Sequence, residues 1–347
     1  MEAPGVKFNT MLKKISVLLI GVLCVTVSCK QKGSDTDSSA DSTNEASMEL
    51  ISPDFNADSA YAFVQKQVDF GPRIPGTQAH ARCAEYLQQK LKSYGAQVFV
   101  QTGKIQTYDK KTFDLKNIIA AFSPEKTKRI LISAHWDTRP FSDQDPDGVR
   151  KPFDGANDGG SGVGVILEMA RQIQQKKPDV GVDFILWDLE DYGQPDDGGG
   201  FPQQEDTYCL GSQYWAKNPP VKGYSPMYAI NLDMVGGLNA QFAIEGYSEE
   251  YASDVVKKVW DTANSIGYSS YFVYKTGNPI YDDHLFINKA GIPAIDIIHH
   301  DETTPGGFYI HWHTQKDNMD GIDKNVLKAT GQTVLEVIFK EKTDQSV

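Results

Sequence analysis

Short strand-forming segments alternate with helical segments along most of this chain, and this alternation limits the folds it can adopt. The runs rich in β-branched residues cover residues 98–102, 115–122, 130–134, 182–187, 227–231 and 294–298. Segments with helical spacing cover residues 58–69, 79–94, 162–175, 211–217, 249–266, 284–290 and 325–339. Strands that alternate with helices favour a parallel sheet between two helical layers. We therefore expect one α/β domain over residues 50–347, with a central, mostly parallel mixed sheet flanked by helices on both faces.

The beginning of the chain has the pattern of a secretory signal peptide. Lys13 and Lys14 precede an apolar run over residues 15–27, which is short for a membrane-spanning helix. We expect residues 1–28 to be a signal peptide. Met11 opens the pattern and is a second candidate for the start of translation.

Cys29 follows this run in a context that resembles a bacterial lipoprotein box, although Thr26 stands where Leu is usual. Ordinary signal-peptidase cleavage near Ser28 is the alternative. Residues 29–49 are rich in Ser and Asp and nearly free of large apolar side chains, which is typical of a disordered tether. We therefore expect an exported protein, lipid-anchored through Cys29 at a bacterial membrane and facing the periplasm or the cell surface.

Charge and cysteine content exclude two classes of protein. Lys and Arg number 34 against 46 Asp and Glu, so the net charge of −12 argues against a nucleic acid as partner. The cysteines at 24, 29, 83 and 209 lie outside any CxxC spacing, which argues against a disulfide scaffold. We expect Cys83 and Cys209 to be free thiols.

Polar side chains follow several predicted strands at the point where each strand ends. These residues, with those of the loops beside them, are His135, Asp137, Asp158, Glu190, Asp191, Asp233 and His313. Loops at the carboxyl ends of strands are where α/β folds place their sites. Imidazole and carboxylate ligands suit a tetrahedral Zn²⁺ site with one open position. An acidic loop cluster without metal is the alternative interpretation.

The adjacent carboxylates Glu190 and Asp191 follow a buried apolar strand. Two neighbouring acids can divide two roles between them. One binds the metal, while the other, beside the cation and partly buried, acts as general acid and base.

As an ordered set, these motifs resemble the zinc aminopeptidase and glutaminyl cyclase superfamily, and within it the bacterial glutaminyl-peptide cyclotransferases. The resemblance covers residues 55–342. The motifs are Pro75-Gly76-Thr77, Ala134-His135-Trp136-Asp137, Asn157-Asp158, Glu190-Asp191, Leu210-Gly211-Ser212, Leu232-Asp233-Met234, Asp282-Asp283-His284 and Trp312-His313-Thr314.

The resemblance implies an enzyme that converts N-terminal glutaminyl residues of peptides or proteins to pyroglutamate with release of ammonia. It implies metal binding by Asp158, Asp191 and His313, catalysis by Glu190, Asp233 and Asp283, and substrate binding by Trp312. It also implies one zinc ion per chain, and a hydrogen bond between the carboxyls of Asp233 and Asp283 or from each to the substrate.

A two-zinc aminopeptidase is the alternative within the same superfamily, because His135 and Asp233 can complete a second zinc site. Two details favour the cyclase: paired acids precede His284, and Trp312 precedes the ligand His313 where aminopeptidases more often carry Tyr. A catalytically silent binding lipoprotein is a third possibility, and the intact Glu190 counts against it.

Two residues depart from the animal cyclases. Asp191 replaces a Glu ligand, and Asp296 replaces a His. Both residues look like the bacterial branch, and neither removes a required chemical group.

An acidic segment has the offsets of a calcium loop, with Asp143, Asp145 and Asp147 before Gly148 and Asp154 at the twelfth position. Pro146 interrupts it, no helix is predicted to enter it, and the twelfth position lacks Glu. We expect a solvated acidic loop rather than a calcium site.

Overall fold

A computed structural model describes residues 49–343, in which the regular structure consists of eight strands, seven α-helices and two short 3₁₀ turns. The strands are β1 (Gln97–Gln106), β2 (Thr112–Phe122), β3 (Arg129–His135), β4 (Gly181–Trp187), β5 (Ala229–Asp233), β6 (Phe242–Ile244), β7 (Phe272–Thr276) and β8 (Ala294–Ile298). The helices are α1 (Ala57–Val68), α2 (Gln78–Ser93), α3 (Gly160–Gln175), α4 (Leu210–Lys217), α5 (Gly246–Ser265), α6 (Asp283–Lys289) and α7 (Lys324–Lys340). The 3₁₀ turns are Gly198–Gly200 and Met319–Gly321.

The central sheet is mixed, with the strand order β1-β2-β4-β3-β5-β8. The pairs β4–β3, β3–β5 and β5–β8 are parallel, while β1–β2 and β2–β4 are antiparallel. Strands β4, β5 and β8 are buried along their whole length, as expected where helices cover both faces of parallel strands. A separate small sheet pairs β6 with β7.

Helices cover both faces of the central sheet, and each face has its own core. Ile130 and Ile132 of β3 point into the larger core, which also takes in buried residues of α1, α2, α3, α5 and α7. Leu131, between them, points into a smaller core with Trp215 of α4 and Ile287 of α6. This alternation follows from the two-residue period of a strand.

Helix α3 carries glycine at positions where it closely approaches its neighbours. A Cβ atom at Gly162 would overlap the Leu232 carbonyl oxygen of β5, and one at Gly164 would lie 2.5 Å from the Val64 side chain of α1. This close approach places the amino end of α3 beside the carboxyl end of β5, where the polar residues collect.

The expected fold class is confirmed: a mixed sheet with three parallel pairs lies between helical layers. The predicted helices agree with the observed ones to within a few residues at each end. The predicted strand 227–231 overlaps β5 but begins and ends two residues too early. The short strands β6 and β7 were not predicted.

The expected signal peptide over residues 1–28 and nearly all of the expected tether over residues 29–49 lie outside the residues that the structure describes. Between positions 49 and 343, no helix combines the length and the apolar character needed to cross a membrane.

Candidate active site

The polar residues predicted from the strand ends meet at one edge of the sheet. His135 ends β3, Asp233 ends β5, and Glu190 and Asp191 follow β4 within four residues. Glu190, Asp191 and Asp233 border a cavity of about 480 Å³. The cavity is lined by predicted site residues and by one further acid: Asp158, Glu190, Asp191, Asp233, Asp282, Trp312 and His313. Apolar and rim residues complete the lining, among them Met234, Ile280, Ile298, Phe308, Asp196, Asp206 and Tyr208.

Asp158, Asp191 and His313 form a compact trio with suitable spacing for one metal ion. His313 Nε2 lies 3.1 Å from Asp191 Oδ1 and 3.5 Å from Asp158 Oδ2. All three side chains are buried, and Asp158 Oδ2 has no hydrogen-bond partner. Ligands about 2 Å from a tetrahedral Zn²⁺ stand about 3.3 Å apart, so these residues fit zinc. A cation would also supply the partner that the buried Asp158 oxygen lacks.

The backbone around Asp158 is shaped to hold that carboxylate in place. The buried Asp317 carboxylate accepts hydrogen bonds from Asn157 N (2.8 Å) and Asp158 N (3.1 Å). Gly159 adopts a positive φ of 80°, and a Cβ atom there would lie 2.6 Å from the Asp137 carbonyl oxygen. A larger residue at Gly159 would therefore push the Asp158 turn away from the sheet.

Asp158 is shared with a second trio. His135 Nε2 lies 3.0 Å from Asp158 Oδ1 and 3.3 Å from Asp233 Oδ1, and the three residues are close enough to hold an ion of their own. The ligand types for two metal ions are therefore present. The arrangement of the side chains does not by itself set the number of ions.

Glu190 belongs to neither trio and faces the cavity. Its Oε2 lies 3.8 Å from His135 Nδ1, and its Oε1 accepts a hydrogen bond from Cys209 Sγ at 3.3 Å. Burial raises the pKa of Glu190 well above its ordinary value, and the neighbouring acids Asp191 and Asp282 add to the shift while His135 opposes it. A buried carboxyl with a raised pKa is suited to taking up and releasing a proton.

Hydrogen bonds from the backbone of Glu190 and Asp191 hold this segment in place. Both oxygens of the buried Asp137 carboxylate accept backbone hydrogen bonds, from Glu190 N at 3.1 Å and from Asp191 N at 3.3 Å. Leu189 adopts a positive φ of 57°, which turns the chain sharply after β4. This turn directs two consecutive carboxylates toward the same cavity.

The structure places the adjacent acids Asp282 and Asp283 differently. Asp282, and not Asp283, lines the cavity. The Asp283 carboxylate is fully buried and accepts a hydrogen bond from Ser212 Oγ at 2.5 Å, whereas the hydrogen-bond partner of Asp233 is His135. The structure thus shows no hydrogen bond between the carboxyls of Asp233 and Asp283, which was one of the two expected arrangements. The other, a hydrogen bond of each with the substrate, stays a prediction.

Asp282 was missed because two adjacent acids look equivalent in the sequence. In the structure Asp282 is the N-cap of α6, so its side chain lies outside the first turn while that of Asp283 lies within it. The sequence predicts the helix to begin at residue 284, which would make Asp283 the cap residue; the observed helix begins one residue earlier, so the cap is Asp282. The Asp282 carboxylate also accepts a hydrogen bond from Asn231 Nδ2 at 3.1 Å.

Trp312 forms part of the cavity wall, at the position expected for a substrate-binding residue. Its ring stacks on that of His313, with 3.8 Å between ring centroids, and packs against Phe308. The stack presents an apolar face directly beside the metal trio.

The remaining sequence expectations concern residues away from the cavity. Cys83 and Cys209 are buried, free thiols, as expected. Asp296 is fully buried on β8 beside Asn231 and does not line the cavity.

Comparison with known proteins identifies the family. The family model described as peptidase family M28 matches residues 117–338. This chain belongs to peptidase family M28. Its relatives in this family are zinc-dependent enzymes.

Solved structures similar to this M28 protein include two bacterial glutaminyl cyclases. The enzyme of Tannerella forsythia is 49% identical, with a TM-score of 0.81, over 84% of this chain and 100% of that one. The enzyme of Bacteroides thetaiotaomicron, bound to N-acetylhistamine, is 51% identical, with a TM-score of 0.80, over 85% of this chain and 100% of that one.

A more distant relative carries an aminopeptidase name. Aminopeptidase YwaD of Bacillus subtilis is 28% identical over 261 residues, which is 71% of this chain. The M28 protein spans about half of the length of that relative, 49%.

Proposed function

We propose that this chain is a zinc-dependent glutaminyl-peptide cyclotransferase, which converts N-terminal glutaminyl residues of peptides and proteins to pyroglutamate and releases ammonia. The observation that carries the proposal is the identity of 49% and 51% with two glutaminyl cyclases over their full lengths. The site supports it, because a buried acid, Glu190, lies beside a trio of possible zinc ligands that lines the same cavity.

Asp158, Asp191 and His313 would hold one zinc ion per chain. Two carboxylates and one neutral imidazole balance its charge, which suits a site closed off from solvent. When bound, zinc supplies a Lewis acid that polarises the γ-carbonyl of the glutaminyl side chain. The remaining chemistry is proton transfer and positioning by side chains of this chain.

Glu190 is the group that moves the proton. The α-amine nitrogen of the substrate forms a bond to its own γ-carbonyl carbon, and the bond from that carbon to the amide nitrogen breaks. Glu190 takes the proton that the amine loses and returns it to the departing nitrogen, which leaves as ammonia. The nucleophile comes from the substrate, so no covalent enzyme intermediate is needed.

The cavity walls hold the substrate in the bent conformation that ring closure requires. Trp312 and Phe308 offer an apolar surface to the methylene groups of the side chain. Asp233 and Asp282 line the cavity and can accept hydrogen bonds from the α-amine and the leaving amide. Holding such a reactive conformer supplies much of the acceleration in reactions of this kind.

A two-zinc aminopeptidase is the second candidate, and one observation favours it. His135, Asp158 and Asp233 form an intact second trio that shares Asp158 with the first. These residues would hold two ions, which would supply the activation of a water for hydrolysis of the first peptide bond, and Glu190 would then serve as the general base.

We also propose that the protein is exported and attached to a bacterial membrane through a lipid on Cys29, facing the periplasm or the cell surface. The basic and apolar residues before Cys29 and the Ser- and Asp-rich segment after it support this location.

The products of two peptides distinguish the two reactions. Gln-Xaa should lose ammonia with its peptide bond intact, because the γ-carbonyl is the electrophile. Leu-Xaa should remain unchanged, because its side chain has no electrophilic carbon. Mass spectrometry of both incubations is the measurement. Free glutamine, or cleavage of Leu-Xaa, would contradict the cyclase and favour the aminopeptidase.

Glu190→Gln keeps the shape of the side chain but removes the base, so turnover should fall by about 10²–10⁴-fold. Zinc content, measured by elemental analysis, should stay at the wild-type level because Glu190 is outside the trio. Glu205→Gln, at an exposed position of the neighbouring loop, is the control and should retain wild-type turnover. Near-normal turnover of Glu190→Gln would show that another group carries the proton.

Cys29→Ser should release the protein from the membrane, because serine cannot carry the thioether-linked lipid. When the full chain is expressed in bacteria and partitioned by detergent phase separation, wild type should enter the detergent-rich phase and Cys29→Ser the aqueous phase. Cys24→Ser, within the apolar run, is the matched control and should behave as wild type. Wild-type protein found in the aqueous phase would refute the anchor.

A further inference from the structure

Two carboxylates of the acidic loop, residues 142–151, accept hydrogen bonds from within the protein. Asp143 accepts hydrogen bonds from Arg139 Nε at 2.8 Å and Nη2 at 2.5 Å. Asp145 accepts from the backbone nitrogens of Asp147 at 3.1 Å and Gln315 at 3.0 Å. Both carboxylates contact the segment that contains His313: Asp143 pairs with His313 itself, and Asp145 accepts from Gln315 N.

We propose that the acidic loop is a clamp on the zinc ligand His313, in which Asp143 orients the imidazole and thereby sets the affinity of the site for zinc. Asp143 is a positioning residue in this account, since it acts through His313. The proposal rests on the zinc site of the proposed function. It does not depend on which reaction that zinc supports.

The first part of the clamp is the hydrogen bond between Asp143 Oδ1 and His313 Nδ1, 3.0 Å long. An ionised carboxylate can only accept, so Nδ1 carries the proton and Nε2 is the nitrogen left to bind metal. Nε2 faces Asp191 at 3.1 Å and Asp158 at 3.5 Å. A carboxylate behind a ligating histidine fixes both its tautomer and its ring orientation.

The second part of the clamp holds the main chain of the ligand segment. His313 adopts a positive φ of 54°, which a non-glycine residue keeps only where its surroundings enforce it. Gln144 N donates to the His313 carbonyl at 3.2 Å. The Gln315 side chain reaches back to Ser142 Oγ and to the Lys151 carbonyl, each at 2.9 Å.

Arg139 joins this clamp to a second ligand. Its guanidinium is fully buried, pairs with Asp143, and also donates to the Asp191 carbonyl at 3.0 Å. Its backbone nitrogen donates to Asp191 Oδ2 at 2.8 Å. His313 and Asp191 are therefore held relative to each other through Arg139 and Asp143, before any metal arrives.

Asp143→Asn tests the proposal through zinc affinity, measured by competition with a chelator. The amide is a weaker acceptor than the carboxylate, so zinc should bind about 10–100-fold more weakly. At saturating zinc, kcat should return close to the wild-type value, because Asp143 touches neither the substrate nor Glu190. Damage to the fold would lower kcat at every zinc concentration.

Asp147→Asn is the matched control: it removes the same charge from an exposed position of the same loop and should leave zinc affinity unchanged. Gln315→Ala removes the side-chain contacts of the second part while keeping the Asp143–His313 bond, so its loss of affinity should be smaller than that of Asp143→Asn. If Asp143→Asn does not fold, the zinc affinity of Gln315→Ala tests the proposal alone. A zinc affinity equal to that of the wild type would then contradict the clamp.

Wild-type zinc affinity in Asp143→Asn, or an equal loss in Asp147→Asn, would overturn the proposal. If the wild-type protein itself bound no zinc, the zinc site of the proposed function would fail instead. The wild-type measurement therefore separates the two failures.

Discussion

Asp158 is the residue on which the arrangement of the site depends. Its two oxygens face different histidines: Oδ1 is 3.0 Å from His135 Nε2, and Oδ2 is 3.5 Å from His313 Nε2. A buried carboxylate is costly unless positive charge or hydrogen bonds compensate it. Two imidazoles face the Asp158 oxygens, while the glycine turn at Gly159 and the backbone hydrogen bonds to Asp317 hold the turn that carries them. This arrangement still leaves one oxygen suited to a cation.

The sequence was sufficient to predict most of the fold because its strands are buried and sharply bounded. The strands that position site residues are apolar runs with a polar boundary: β3 ends in His135, β5 ends in Asp233, and β4 is followed directly by an acidic segment. Strands β6 and β7 escaped prediction since they are short and partly exposed, and their pairing depends on contacts distant in the chain.

Individual side-chain roles were harder to predict than the location of the site. Asp282 and Asp283 have the same chemistry, and one position relative to the start of α6 decides which of them reaches the cavity. The acidic loop shows the same limit: the spacing of Asp143, Asp145 and Asp147 describes a calcium loop. The side chain that Asp143 actually contacts, His313, lies 170 residues away in the chain, and local spacing carries no sign of it.

The two chemistries of this superfamily share nearly all of the site, so the number of metal ions matters more than the identity of the ligands. The central claim is that one zinc ion, held by Asp158, Asp191 and His313, is enough for cyclisation with Glu190 as the proton carrier. Titrating zinc into metal-free protein while following ammonia release from a Gln-Xaa peptide tests it directly. Activity should rise linearly and stop at about one equivalent of zinc per chain. A rise that continues to a second equivalent, or full activity without added zinc, would contradict it.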